Sequence, residues 1–206
     1  GPRVNGPKGS MSVNKESLMD EIIERIAVCT RCGLCQNRTQ TVPGEGSLGA
    51  KIFFVGEAPG REEDLSGRPF VGAAGKLFTT ILKAVDIARE EVYIGNIIKC
   101  RPPENRTPTM EEMKACAPFL LAQLQVVQPR LIVTLGASSL SFFLSGREIK
   151  ITEMRGKYQQ WEGGIPIFPM FHPSYLLRNA SKAPGSPKAL TWSDIQEVRR
   201  VYEQSE

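Results

Sequence analysis

Apolar residues recur along this chain in two spacings, one helical and one unbroken. Leu18, Ile22 and Ile26 fall on a single stripe and predict a helix over residues 16–28. Gly44–Gly49 reads as a glycine-rich loop. Ile52–Val55 is a continuous apolar run stopped by Gly56, the pattern of a strand buried on both faces. Val92–Ile98 is a second strand candidate, and Leu131–Leu135, closed by Gly136, is a third. Between the strands lie helical segments. Residues 73–86 turn Leu77, Ile81, Leu82 and Val85 inward, and residues 109–127 open on the capping box of Thr109 and Glu112. A shorter helix is predicted over Ala137–Leu144. Two β-like stretches, 151–161 and 165–171, predict a hairpin leading into the last strand, and a helix near 191–204 takes Thr191 as its cap. Strands alternating with helices predict an α/β fold whose mostly parallel sheet is covered on both faces.

In such sheets ligands bind outside the carboxyl ends of the strands. Gly56-Glu57-Ala58-Pro59-Gly60 follows the first strand, Asn96 and Lys99-Cys-Arg-Pro-Pro103 follow the second, and Phe171-His-Pro-Ser174 follows the last. The chemically interesting residues therefore share one edge of one sheet. Glu57 has the chemistry to position or activate a water, or is a loop acid that pairs with Arg61. His172 is the only histidine; the Pro173 beside it stops the strand, and its imidazole suits hydrogen bonding to an anionic leaving group, against a purely structural role. Phe70, between Pro69 and Gly72, suits stacking on a planar base or a place in the core. Asn96 interrupts an apolar strand with a donor and an acceptor that match a pyrimidine edge or a neighbouring loop. Glu62, Glu63 and Asp64 read as solvated charges. Lys99, Arg101, Arg106, Arg178, Lys182 and Lys188 suit phosphate contacts, with Ser174 among them. Tyr175-Leu176-Leu177 offers apolar wedges for the hole left by a flipped base.

Composition narrows the class without choosing the chemistry. The 206 residues, 41% hydrophobic and 23% charged, suit one packed domain. Gly1–Ser10 reads as an expression-tag remnant ahead of a start at Met11, leaving residues 11–206 as that domain. Setting aside Arg3 and Lys8 lowers the net charge from +4 to +2, so a DNA-binding field must come from local clustering. No apolar run approaches the ~20 residues of a bilayer span, and no secretory signal follows Met11, which predicts an intracellular, cytoplasmic protein with reduced thiols. Cys29-Thr-Arg-Cys32 is a C-x2-C pair, and Cys100 and Cys116 form a second, distant pair. Four thiolates from two segments fit zinc or an iron–sulfur cubane, and spacing does not decide between them. Cys35 competes through its own C-x2-C with Cys32 and is expected to be a bystander.

Taken together, Gly56–Gly60 with Glu63-Asp64, Gly67-Arg-Pro-Phe-Val-Gly72, Asn96-Ile-Ile-Lys-Cys-Arg-Pro-Pro103 and Phe171-His-Pro-Ser-Tyr-Leu-Leu-Arg-Asn179 resemble the family-4 uracil-DNA glycosylases. The resemblance runs from Cys29 to the C-terminal helix. It implies a three-layer α/β/α sandwich around a four-stranded parallel sheet, and a [4Fe–4S] cluster on Cys29, Cys32, Cys100 and Cys116. It implies that Glu57 positions water, His172 faces uracil O2, Phe70 stacks on uracil, and Asn96 reads its edge with the Gly56 and Ala58 backbone nearby. The chain lacks a histidine between Asn96 and Cys116, unlike a related branch that forms a covalent adduct. The expected activity is monofunctional removal of uracil from DNA by a monomer, with Arg101, Arg106, Ser174, Leu176 and Arg178 touching DNA. The rival classes are a redox or electron-transfer iron–sulfur protein and a non-catalytic uracil-DNA-binding module.

Overall fold

The structure, a computed structural model, describes residues 5–205, with side chains from residue 14 onward. Of the expected tag remnant, residues 1–4 lie outside the described residues, and residues 5–10 begin helix α1 (Asn5–Ala27). The remaining elements are β1 (Glu45–Gly46), β2 (Ile52–Gly56), α2 (Arg61–Ser66), α3 (Ala73–Ala84), β3 (Tyr93–Asn96), α4 (Met110–Val127) and β4 (Leu131–Leu135). They continue with α5 (Ala137–Phe143), α6 (Ile151–Met154), β5 (Ile167–Met170), α7 (Pro173–Arg178) and α8 (Pro187–Glu203).

The sheet order is β1-β3-β2-β4-β5. The strands β3, β2, β4 and β5 are parallel, as expected, and each is buried along its whole length. The expectation of a four-stranded, all-parallel sheet is corrected by β1, which pairs antiparallel to β3 through Glu45–Ile94 and Gly46–Tyr93 and makes the sheet five-stranded and mixed. Two residues carry no periodicity, so this strand is written only in its tertiary pairing. Alternation along β2 divides the core: Phe53 and Val55 pack under α1, α4 and α5, whereas Ile52 and Phe54 pack under α3 and α8. These are the two outer layers of the α/β/α sandwich.

The helix boundaries show where local chemistry decides. Met19, Ile22, Ile23 and Ile26 form the inward stripe of α1, and Leu18 is half exposed, so the stripe opens one position later than predicted. Thr109 caps α4 as predicted: its Oγ1 accepts from Glu112 N–H while Glu112 accepts from Thr109 N–H. The predicted hairpin over 151–161 and 165–171 reduces to one antiparallel bridge, Gln159–Ile167, because residues 151–154 coil into α6. Ser186, not Thr191, caps α8, and Pro187 takes the first helical position, where a missing N–H costs nothing. The far end of α8 is tied to the strand entrances: Lys51 donates to the carbonyls of Tyr202 and Gln204, and Arg130 donates to that of Gln204. No helix among the described residues is long and apolar enough to cross a membrane.

Candidate active site

A cleft of about 640 Å³ opens at the carboxyl ends of β2, β3, β4 and β5. Glu57, Ala58, Phe70, Asn96, Arg106, His172 and Ser174 all line it. Adjacent parallel strands bring the first two motifs level, since Gly56 is in register with Asn96. Ile97 N–H and Ile98 N–H then donate to the carbonyls of Gly56 and Glu57, which fixes the backbone that carries the acid. Gly56 lines no wall; its contribution is space. A Cβ there would stand 2.5 Å from Asn96 Oδ1 and 2.6 Å from Phe70 Cζ, so only glycine lets the amide and the ring close over the strand end.

Phe70 is buried and takes a left-handed backbone, φ 51°, which costs a side-chain-bearing residue about 1–2 kcal/mol. The surrounding chain holds it there. Its ring lies 5.2 Å from that of Phe78 and 5.8 Å from the His172 imidazole. Gly75, in the first turn of α3, lets the Phe70 backbone rest on the helix: a Cβ there would meet the Phe70 carbonyl carbon at 2.0 Å. Glu63 and Asp64 are not the solvated charges expected from their run of acids. Glu63 Oε1 accepts from Gly60 N–H, and Oε2 accepts from Val71 and Gly72 N–H at 2.9 and 2.7 Å, stapling two loops together. Asp64, 4% exposed, accepts from Thr39 N–H. Only half of a capping box forms at the start of α2, since Glu63 reaches back to the Gly60 N–H but glycine has no side chain to answer it, so the sequence carried no full signal.

His172 caps α7 with its own ring. Ser174 N–H donates to Nδ1 at 3.0 Å, with Ser174 Oγ at 2.8 Å from the same nitrogen. Because a backbone N–H can only donate, Nδ1 is an acceptor and the ring proton sits on Nε2. Burial, reinforced by the Arg178 guanidinium and partly offset by Glu63, lowers the pKa to about 4, so the imidazole is neutral at physiological pH.

The basic residues separate into four groups. Arg101 donates to Asn105 Oδ1, and Arg106 forms a bidentate pair with Glu112 at 2.8 and 2.7 Å on the rim of the cleft. Arg178 is exposed at the end of α7. Lys182 and Lys188 line a separate apolar groove with Leu77 and Trp192, away from the cleft. Lys99 is 1% exposed and donates from Nζ to Asn96 O and Gln123 Oε1, which corrects its expected phosphate contact. Burial lowers its pKa to about 8. Of the expected wedge, Leu176 is buried and Leu177 is the exposed member.

All five cysteines line one cavity between α1, the loop after β3, and α4. Cys29, Cys32 and Cys116 are electrostatic neighbours of the others in the predicted quartet: Cys100 feels Cys32 and Cys29, and Cys116 feels Cys100 and Cys29. Cys35 borders the same cavity. N–H groups point at the sulfurs: Arg38 Nη1 at 3.4 Å from Cys100 Sγ, Lys99 N at 3.3 Å from Cys116 Sγ, and Arg31 N at 3.5 Å from Cys29 Sγ. Such donors stabilise thiolate charge, the form that binds metal. Burial pushes the Cys116 thiol up to about 11, so holding it as a thiolate needs a cationic partner. Among the described residues no group of His, Cys, Asp or Glu is drawn to the spacing of one bound ion.

An α/β sandwich with an acid, an aromatic, an amide and a neutral histidine in one strand-end cleft defines a class. Residues 43–196 match the family model described as the uracil DNA glycosylase superfamily. A type-4 uracil-DNA glycosylase of Thermotoga maritima is 56% identical over 167 residues, covering 81% of this chain and 87% of that protein. Another, from Sulfurisphaera tokodaii, is 46% identical over 190 residues, covering 89% and 84%. A type-5 uracil-DNA glycosylase of Pyrobaculum aerophilum is 27% identical over 229 residues, covering 96% and 94%. The chain belongs to the type-4 uracil-DNA glycosylase family.

Proposed function

We propose that this protein is a monofunctional, monomeric glycosylase that removes uracil from single- or double-stranded DNA inside the cell and leaves an abasic site for base excision repair. The observation that carries the reading is the meeting of Glu57, Phe70, Asn96 and His172 in one cleft. Deoxyuridine turns out of the stack, at a cost of a few kcal/mol that is smallest at a mismatch. Phe70 stacks on the base, Asn96 bonds its edge, and the Ala58 backbone closes the remaining side, while Gly56 leaves the space that lets the ring and the amide meet. Glu57 holds a water against C1′. The water oxygen bonds to C1′, its proton passes to the carboxylate, and the C1′–N1 pair leaves with uracil. His172 Nε2–H donates to O2 as that charge grows, which a neutral imidazole does without giving up its proton. Among the described residues no lysine lines the cleft, and Lys99 is committed to Asn96 O and Gln123, which supports hydrolysis over Schiff-base chemistry.

Arg101, Arg106, Ser174 and Arg178 supply phosphate contacts, and Leu177, rather than Leu176, fills the vacated stack. Cys29, Cys32, Cys100 and Cys116 hold a [4Fe–4S] cluster; their place around one cavity, with N–H donors on the Cys29, Cys100 and Cys116 sulfurs, supports the fit, and Cys35, which borders the same cavity, is the bystander. When bound, the cluster supplies a structural cross-link between α1 and the loop under Asn96.

The test is a labelled oligonucleotide carrying one uracil. Strand breaks that appear only after alkali, and that disappear in Glu57→Ala while binding persists, support the proposal. Absence of uracil release by the iron-loaded protein refutes it and leaves the binding-module and redox readings.

A further inference from the structure

Phe70 is gripped from its carbonyl side by a residue that no motif includes. Arg89 lies in the turn before β3, its side chain 11% exposed. Its Nη1 donates to Phe70 O at 2.7 Å and to Thr79 Oγ1 at 3.1 Å; its Nη2 donates to Pro69 O at 2.7 Å and to Glu45 Oε2 at 3.2 Å. Two consecutive carbonyls thus face one flat guanidinium, while the following two N–H groups face Glu63. Arg89 holds the peptide planes on both sides of the left-handed residue, and Glu63 holds the second of them from its N–H edge.

We infer that Arg89 is the positioning residue for the stacking ring: it holds Phe70 in its left-handed conformation and so sets the ring against the base. The inference rests on the proposed stacking role of Phe70. A planar fork with fixed donor directions can serve both carbonyls and both side-chain anchors; an ammonium, a single point charge, cannot. Without the fork, Phe70 O and Pro69 O lose their charge-assisted bonds, and the backbone is free to return to negative φ, swinging the ring. Thr79 and Glu45 aim the guanidinium, and Glu45 is itself held by Arg68 at 2.9 and 2.8 Å. The β1 strand, absent from the sequence pattern, therefore serves the site from a distance, because its pairing with β3 delivers Glu45 to Arg89.

The experiment is a double-mutant cycle on the iron-loaded protein, reading single-turnover uracil release, inhibition by free uracil, affinity for abasic-site DNA, and melting temperature. Arg89→Gln is expected to slow release and weaken uracil inhibition by about tenfold, the scale of one charge-assisted hydrogen bond, with abasic-site affinity unchanged. Arg89→Lys should recover little of this. In a Phe70→Ala background, Arg89→Gln should cost nothing further, because Arg89 acts through the ring. Losses that multiply, or full activity in Arg89→Gln beside a deficient Phe70→Ala, overturn the inference and leave stacking intact. A fully active Phe70→Ala overturns the stacking reading and the inference with it. Should Arg89→Gln fail to fold, Glu45→Gln carries the same cycle with an expected loss of about threefold; additive losses there overturn the inference equally.

Discussion

Replacing Gly56 with alanine probes the closeness on which the base pocket depends. The added methyl would sit 2.5 Å from Asn96 Oδ1, 2.6 Å from Phe70 Cζ and 3.1 Å from Phe70 Cε2. Ordinary contacts are about 3.5–4.0 Å, so the amide and the ring must each retreat by about 1 Å. Both are buried, Asn96 2% exposed and Phe70 7%, so each can retreat only into the cleft it lines, the space the base would take. Overpacking of this kind costs about 1–3 kcal/mol, or roughly 2–4 °C of melting temperature per kcal/mol in a domain of this size. The functional penalty is larger in proportion, because a 1 Å displacement of a positioning group can cost about 10²-fold in rate. We expect Gly56→Ala to fold, to melt a few degrees lower, and to release uracil about 10²-fold more slowly from a single-uracil oligonucleotide. Its affinity for abasic-site DNA should stay within about threefold, as phosphate contacts are untouched. Wild-type release with an unchanged melting temperature would show that Phe70 and Asn96 do not meet across Gly56, and the pocket described above would be wrong.

Three further outcomes can be measured. The folded pKa of His172, about 4, lies below the ordinary 6.5; its stabilising contribution is therefore complete above pH 6.5 and is lost as pH falls toward 4. Denaturant titrations should show a steeper loss of stability over that window in the wild type than in His172→Gln, and the His172-dependent part of uracil release should persist down to about pH 4. Cys100→Ser and Cys116→Ser should lose bound iron and visible absorbance and melt about 10 °C lower, as expected when a metal cross-link worth several kcal/mol is removed, whereas Cys35→Ser should retain the iron. Thr109→Ala removes the α4 cap and should lower stability by about 1 kcal/mol with uracil release unchanged.

The strands that frame the site were legible because parallel strands buried on both faces leave unbroken apolar runs: Ile52–Val55 and Leu131–Leu135 end at the glycines that open the cleft. Glu57, Asn96 and His172 were legible for the same reason, each standing at or just past a strand end. What escaped was decided by contacts distant in the chain. Lys99 looks like a phosphate ligand beside Arg101 until Gln123 and the Asn96 carbonyl capture it. Arg89 has no sequence neighbour that reveals its hold on Phe70, and β1 is two residues whose pairing only β3 supplies. The start of α8 is a different case, since Ser186-Pro187 carries a recognisable cap signature ahead of Thr191, which has only its hydroxyl to suggest the same role.

The clamp on the end of α8 has a practical consequence. Lys51 and Arg130 grip Tyr202 and Gln204 at the amino ends of β2 and β4, the pole of the sheet opposite the cleft. A polypeptide joined after this point therefore starts from the pole opposite the cleft. A reporter or a solid support can be attached there without starting beside the cleft, provided the added segment leaves both backbone carbonyls in the grip of those two cations.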